Sequence, residues 1–166
     1  MRMFVSLGSN IRPRHHLPLA VAELRRRFQV VAVSPAYRTA PVGDEDQADF
    51  LNLAVELASD LTPERAQAAL HDIEQILGRE RDATRRFGPR TIDLDLVLVA
   101  GTVGRFGSLE LPSPLLAREP FVAVPVADLA PELVHPVLGV SLSEVARAAL
   151  AGSATPPEPI EMELPR

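Results

Sequence analysis

Gly88-Pro89-Arg90-Thr91-Ile92-Asp93-Leu94-Asp95-Leu96-Val97-Leu98-Val99 begins on a Gly-Pro pair and runs into an apolar strand. Strand side chains alternate faces, so Asp93 and Asp95 point the same way with α-carbons roughly 6.6 Å apart, while Leu94 and Leu96 point into the core. Two carboxylates so placed repel each other unless a cation sits between them. Magnesium suits the position, because it takes one or two carboxylates and leaves its other sites to water and phosphate oxygens. Just upstream, Arg79, Arg81, Arg85, Arg86 and Arg90 are permanently charged and shaped to hold phosphate through paired hydrogen bonds. A bare D-x-D is more often a solvated edge beside a solvated charge run. The neighbouring arginines and the Gly-Pro turn favour metal-assisted phosphoryl chemistry instead.

Outward from this strand, the remaining elements give an order. Met3 to Leu7 reads as a strand that ends in the turn-forming set Gly8-Ser9-Asn10. Leu17, Val21, Leu24 and Phe28 then recur at helical spacing, with Arg25, Arg26 and Arg27 near the helix end, where cations suit the dipole. Val30 to Tyr37 is a second strand. Phe50 to Leu57 is a third, with Leu51, Leu53, Val55 and Leu57 alternating against Asn52 and Glu56. A polar loop joins the two. A second helix starts at Thr62 as cap, with Pro63 in its first position, and stops at Gly78. The Asp93-Asp95 strand is the fourth. The order β-α-β-β-α-β predicts an α+β, ferredoxin-like sandwich in which two helices cover one face of an antiparallel sheet. C-terminal additions follow it, with helices expected at Phe121 to Leu129 and Ser141 to Leu150, the latter with capping-box spacing to Glu144. Residues 1–151 read as a single domain and 152–166 as a loosely held tail with four prolines.

Composition narrows the class further. The chain has 166 residues, 46% hydrophobic, with a net charge of -5, so neither a disordered chain nor a general polyanion binder is indicated. There is no cysteine, which removes disulfides, thiolate nucleophiles and cysteine-based zinc sites together. All 17 basic residues are arginine, so the lysine of a Walker-type phosphate loop or a protein-kinase site is missing. No apolar run reaches membrane-spanning length and the N-terminus lacks a signal-peptide pattern, which makes a cytoplasmic enzyme the default. His15, His16 and His135 show no metal-ligand spacing and read as structural or solvated.

Three blocks then carry a resemblance: Tyr37-Arg38-Thr39-Ala40-Pro41-Val42-Gly43, the stretch Gln47 to Asn52, and Arg86 to Asp95. Together, and in this order, they resemble the 6-hydroxymethyl-7,8-dihydropterin pyrophosphokinase family of folate synthesis, over the span from Gly8 to Glu132. The resemblance implies a ferredoxin-like fold and transfer of the terminal two phosphates of ATP, as one unit, to the hydroxymethyl oxygen of the pterin, with AMP released. It further implies that Asp93 and Asp95 hold two magnesium ions and that Arg79, Arg81 and Arg90 neutralise the triphosphate. Phe50 and Phe121 would sandwich the pterin ring, Asn52 would offer donor and acceptor to its edge, and Thr39 and Val42 would line that pocket. Adenine would lie near His71, Glu74 and Leu96.

Two places depart from the family pattern. Phe87 stands where tryptophan is usual. In Leu111 to Phe121, Ser113 replaces a histidine that touches the triphosphate, and Glu119 takes the place of a loop arginine, with Arg118 one position early. Arg118 is expected to reach the triphosphate from that shifted position, and Glu119 to point away from it by like-charge repulsion. The expected partners are ATP and the pterin, with no nucleic acid and no membrane, for a monomer. A catalytically weak pterin- or nucleotide-binding relative, a ferredoxin-like RNA-binding module and a magnesium nuclease are the competing readings, and the low aromatic content of 4% with net acidity argues against the RNA module.

Overall fold

The computed structural model describes residues 1–43, 45–78, 89 and 91–166. Its central strand β1 (Arg2–Ser9) alternates with period two. Met3, Val5 and Leu7 enter one core cluster, and Phe4 enters another on the opposite face. Helix α1 (Pro13–Arg27) packs Leu17, Val21 and Leu24 against the first face, and its last-turn arginines suit the helix dipole.

The second strand divides in two, β2 (Gln29–Val33) and β3 (Ala36–Thr39), where one run over Val30 to Tyr37 was expected. Pro35 has no N–H to give to a ladder, and Ser34 bridges the gap. Its backbone N donates to Ala54 O (2.9 Å), and its hydroxyl accepts from Ala54 N (2.8 Å). Both strands pair antiparallel with β4 (Phe50–Ala58), β2 along its far half and β3 along the half that begins at Phe50.

Helix α2 (Pro63–Ile76) starts where Thr62 Oγ1 accepts from Arg65 N (3.3 Å), with Pro63 in the first turn, and Gly78 follows at φ 86°. Its Leu70 and Ile73 join the α1 face of the sheet. Strand β5 (Asp93–Val99) then pairs antiparallel with β1 and forms one edge. A separate hairpin of β6 (Gly104–Phe106) and β7 (Leu109–Leu111) leads to helices α3 (Pro114–Arg118), α4 (Pro120–Leu129) and α5 (Leu142–Ala151). Leu116, Val122, Val126 and Ala146 from these helices cover the Phe4 face, so the sheet is sandwiched. Between α4 and α5, buried His135 folds the turn, its Nδ1 accepting from Val137 N (3.2 Å) and Leu138 N (3.1 Å).

The tail is not loosely held. Strand β8 (Glu158–Ile160) pairs with the outer edge of β3, giving the order β5-β1-β4-β3-β8. Ile160, Met162 and Leu164 pack on the core, and Arg14 and Arg25 donate to Glu161 O and Pro165 O (both 3.0 Å). An edge strand tolerates Pro159. The architecture is α+β, an antiparallel sheet with helices on both faces. Among the described residues no helix is long and apolar enough to cross a membrane.

Candidate functional site

The side of the sheet that faces α3 and α4 carries a cavity of about 400 Å³ at the C-terminal end of β1. Register builds its floor: Gly8 on β1 lies between Asn52 on β4 and Asp93 on β5, and Ser6 lies between Ala54 and Asp95. The two acids line the cavity, both half-buried, and face the same way because they are two residues apart on one strand. Two strand spacings put Asn52 about 10 Å across the sheet from Asp93. One cavity thus has an acidic side and a neutral polar side.

On the neutral side, Asn52 is 3% exposed and its Nδ2 donates to Thr39 Oγ1 (2.5 Å). Its Oδ1 lies over Gly8, only 2.8 Å from where a Cβ would stand. Glycine at this strand position is what admits that oxygen. Phe50 and Phe121, both half-buried, line the cavity from β4 and α4, and Ala40 and Val42 line it from the loop after β3. Tyr37, one residue pair further along β3, donates to Asp128 on α4 and closes the sandwich there. Burial, then the hydrogen bond and charge of Asp128, raise the Tyr37 pKa, so its hydroxyl stays a donor.

Arg118 and Glu119 also line the cavity. Glu119 is the junction between α3 and α4. Its N donates to Leu115 O (2.8 Å), and its carbonyl accepts from Val122 N and Ala123 N (3.0 and 2.9 Å). The junction fixes where it stands. Ser113 is not among the lining residues: its hydroxyl caps α3 by accepting from Leu115 N (3.3 Å), and its own N donates to Val97 O (2.8 Å).

His71, Glu74 and Leu96 lie on the α2 side of β5, not in this cavity. Leu96 and Glu74 are each 2% exposed, and His71 Nε2 stands 3.9 Å from Glu74 Oε1. Gln67, which the sequence reading passed over, ties the group together: its Oε1 accepts from Leu96 N (3.0 Å), and its Nε2 contacts His71 Nε2 (2.9 Å) and Leu94 O (3.4 Å). Its helical spacing of four from His71 was the available signal. The arginines expected on the phosphates, Arg79, Arg81 and Arg90, lie outside the described residues, as does Phe87.

A second, shallower hollow of about 510 Å³ lies on the α1 side, lined by Arg12, Arg14, His15, Arg38, Asp49 and Leu51. Two of its cations are committed to the tail, since Arg14 holds Glu161 O and Arg38 stands 3.7 Å from Glu158. The chemistry-bearing cavity is the one with the acid pair.

Known proteins resemble this chain in sequence and in fold. Residues 4–131 match the family model described as 7,8-dihydro-6-hydroxymethylpterin-pyrophosphokinase (HPPK). The chain is 40% identical over 136 residues to a 2-amino-4-hydroxy-6-hydroxymethyldihydropteridine pyrophosphokinase of Methylorubrum extorquens, covering 80% of this chain and 85% of that one. It is 41% identical over 129 residues to the Bacillus subtilis protein of the same name, covering 76% of each. Among solved structures, wild-type Plasmodium falciparum HPPK-DHPS aligns with TM-score 0.68 at 12% identity, over 90% of this chain and 43% of that longer one, a likeness of fold alone. The chain therefore belongs to the 7,8-dihydro-6-hydroxymethylpterin-pyrophosphokinase family, enzymes that transfer diphosphate from ATP to hydroxymethyldihydropterin in folate synthesis.

Proposed function

We propose that the 400 Å³ cavity is where the pterin is held and diphosphate received. The observation that carries this is the joint lining by Phe50, Phe121, Asn52 and Thr39 on one side and Asp93 and Asp95 on the other. Phe50 and Phe121 offer aromatic faces to a flat ring. Asn52 keeps its carbonyl oxygen and a second N–H for the ring's amide-like edge while Thr39 holds the amide in place. Val42 closes the rim.

Two half-buried carboxylates on one face are a donor set that fits magnesium, which is commonly held by one or two carboxylates with substrate phosphates and water completing its shell. Asp93 and Asp95 would hold two such ions, which when bound offset the charge of the moving phosphates. Arg118, exposed at the cavity wall, supplies a guanidinium to the same phosphates, and Glu119 beside it opposes them. Arg79, Arg81 and Arg90 belong to the triphosphate on the family resemblance. Because β5 is an edge strand, a nucleotide can pass round it, with its base toward His71, Glu74 and Leu96 on one side and its phosphates at the acid pair on the other. Ser113, used as a helix cap, is left with little to give the phosphates. In the reaction an O–P bond forms from the hydroxymethyl oxygen to the β-phosphorus as the bond from that phosphorus to the α-β bridging oxygen breaks, so AMP leaves and the hydroxymethyl proton passes to water.

We further read the core as ferredoxin-like, on the antiparallel order of its strands, within one domain over 1–151 to which the tail adds an edge strand. We also read the chain as a cytoplasmic monomer acting on free ATP and pterin, a compartment that the absence of cysteine suits. Mixing the protein with ATP, magnesium and 6-hydroxymethyl-7,8-dihydropterin should yield AMP and the pterin diphosphate in equal amounts. ADP with a pterin monophosphate would overturn the reading.

A further inference from the structure

We infer that Asn10 is a positioning residue for the pterin: it anchors the wall of the pocket to the central strand of the sheet. The segment between Thr39 and Phe50 carries no helix or strand among its described residues, yet it supplies Ala40 and Val42 to the cavity and leads directly into Phe50. Something outside the segment must hold it. Asn10 does so from the turn after β1, its Nδ2 donating to Gln47 Oε1 (2.8 Å) and to Ala48 O (3.0 Å), 37 and 38 positions along the chain. A primary amide nitrogen has two hydrogens, so each bond has its own. Asn10 is 8% exposed, so the bonds are shielded from competing water.

The residue beside it does the matching task on the acidic side. Ser9 is fully buried, and its hydroxyl lies 2.6 Å from Thr91 O and 3.2 Å from Ile11 O. With one hydrogen to give, it favours the shorter contact, 82 positions away and two residues ahead of Asp93. A turn with only local work would satisfy these side chains locally or with water. Here the two neighbours reach in opposite directions, Asn10 to the pterin wall and Ser9 to the acidic strand. The distance between the two halves of the site is therefore set at one turn of the rigid central strand.

This inference rests on the assignment of the cavity to pterin, and the experiment separates the two. Steady-state AMP release by the full chain gives KM for each substrate and kcat for Asn10→Ala, Asn10→Asp, Ser9→Ala and Asn52→Ala. Asn10→Ala should raise the pterin KM about tenfold or more and leave the ATP KM within about twofold, as expected for losing shielded hydrogen bonds behind one pocket wall. Asn10→Asp, equal in volume but with no N–H to donate, should be at least as severe. Ser9→Ala should lower kcat and spare the pterin KM. If Asn10→Ala does not fold, Gln47→Ala removes one of the two bonds from a half-buried rim position and should raise the pterin KM several-fold in the same selective way. Normal pterin KM in the Asn10 variants, with Asn52→Ala impaired, overturns the inference alone. Normal pterin KM in all of them overturns the cavity assignment. Equal loss of ATP and pterin in the Asn10 and Ser9 variants would show a role in stability only and likewise overturn it.

Discussion

Replacing Gly8 by alanine puts a methyl carbon 2.8 Å from Asn52 Oδ1, far inside van der Waals contact. The other neighbour within reach, Phe50 Cδ1 at 3.8 Å, is at ordinary distance. Gly8 lies in a regular strand and is not at positive φ, so the backbone accepts alanine and the whole conflict falls on that oxygen. Asn52 cannot retreat freely. It is 3% exposed, and swinging Oδ1 away from β1 carries Nδ2 off Thr39 Oγ1, now 2.5 Å distant. Leaving a buried amide unsatisfied costs about 1–3 kcal/mol. Alanine recovers about 0.5–1 kcal/mol of that by restricting the unfolded chain and suiting the strand. The net loss, up to about 2.5 kcal/mol, lowers Tm by up to several degrees, at roughly 2–4 °C per kcal/mol for a chain of this size. Pterin binding suffers separately: a displaced Asn52 forfeits its hydrogen bonds to the ring edge, about 1–3 kcal/mol, or roughly five- to 150-fold in affinity.

KM for pterin and for ATP, measured by AMP release, should therefore separate, with only the pterin value rising. A double-mutant cycle identifies the cause. In an Asn52→Ala background the oxygen is gone, so Gly8→Ala should be nearly silent in both Tm and pterin KM. A methyl that obstructed the ring directly would keep its full effect in that background. Persistence of the Gly8→Ala effect there, or an unchanged pterin KM in the single variant, would refute the reasoning.

Asp93→Asn and Asp95→Asn keep side-chain volume and remove charge, so each should lower turnover about a hundredfold or more with Tm preserved, and near-normal turnover at ordinary magnesium would make the acids structural. Arg118→Ala should lower kcat more than it raises the ATP KM, while Glu119→Gln, which takes a negative charge off the cavity wall, should lower the ATP KM a few-fold at low salt; unchanged single-turnover rates for Arg118→Ala would remove that residue from the chemistry. Burial lowers the pKa of His135, so below about pH 6.5 the unfolded chain takes up a proton that the folded chain refuses, and stability falls with falling pH by at most about 1.4 kcal/mol per unit. His135→Asn retains an acceptor for Val137 N and Leu138 N but does not titrate, so urea midpoints at pH 7.5 and 5.5 should lie closer together than in the parent, and equal spacing in both would refute the assignment.

Elements set by local chemistry were legible in the chain. The cap at Thr62 with Pro63, the stop at Gly78 and the cap at Ser141 each depend on a few adjacent residues, and each stands where those residues place it. Helix α3 was missed although Ser113-Pro114 carries the same cap-and-proline signal as Thr62-Pro63, because five residues are too few to show a helical period. The break at Ser34 was hidden for a different reason. A serine hydroxyl standing in for a ladder bond to Ala54 is a tertiary arrangement, invisible until β4 is alongside. In the tail, Ile160, Met162 and Leu164 alternate with Glu161 and Glu163, a period-two signal outweighed by the nearby prolines. The prolines exclude a helix and a central strand but not an edge.

For the site, the shared face of Asp93 and Asp95 follows from spacing alone, whereas the partners they meet depend on register, and a slip of one residue would turn every side chain of β1 over. Once that register is known, β1 holds a further signal. Its core-facing side chains, Met3, Val5 and Leu7, stay large along the strand, while those on the other face shrink from Phe4 to Ser6 to Gly8. Phe4 fills the space under α4, and Ser6 and Gly8 leave it open between the acids and Asn52. The cavity thus exists because one face of the central strand tapers toward its C-terminal end. A bulky residue at either small position would fill the cavity while leaving the α1–α2 core untouched, so fold and pocket are encoded on opposite faces of the same eight residues.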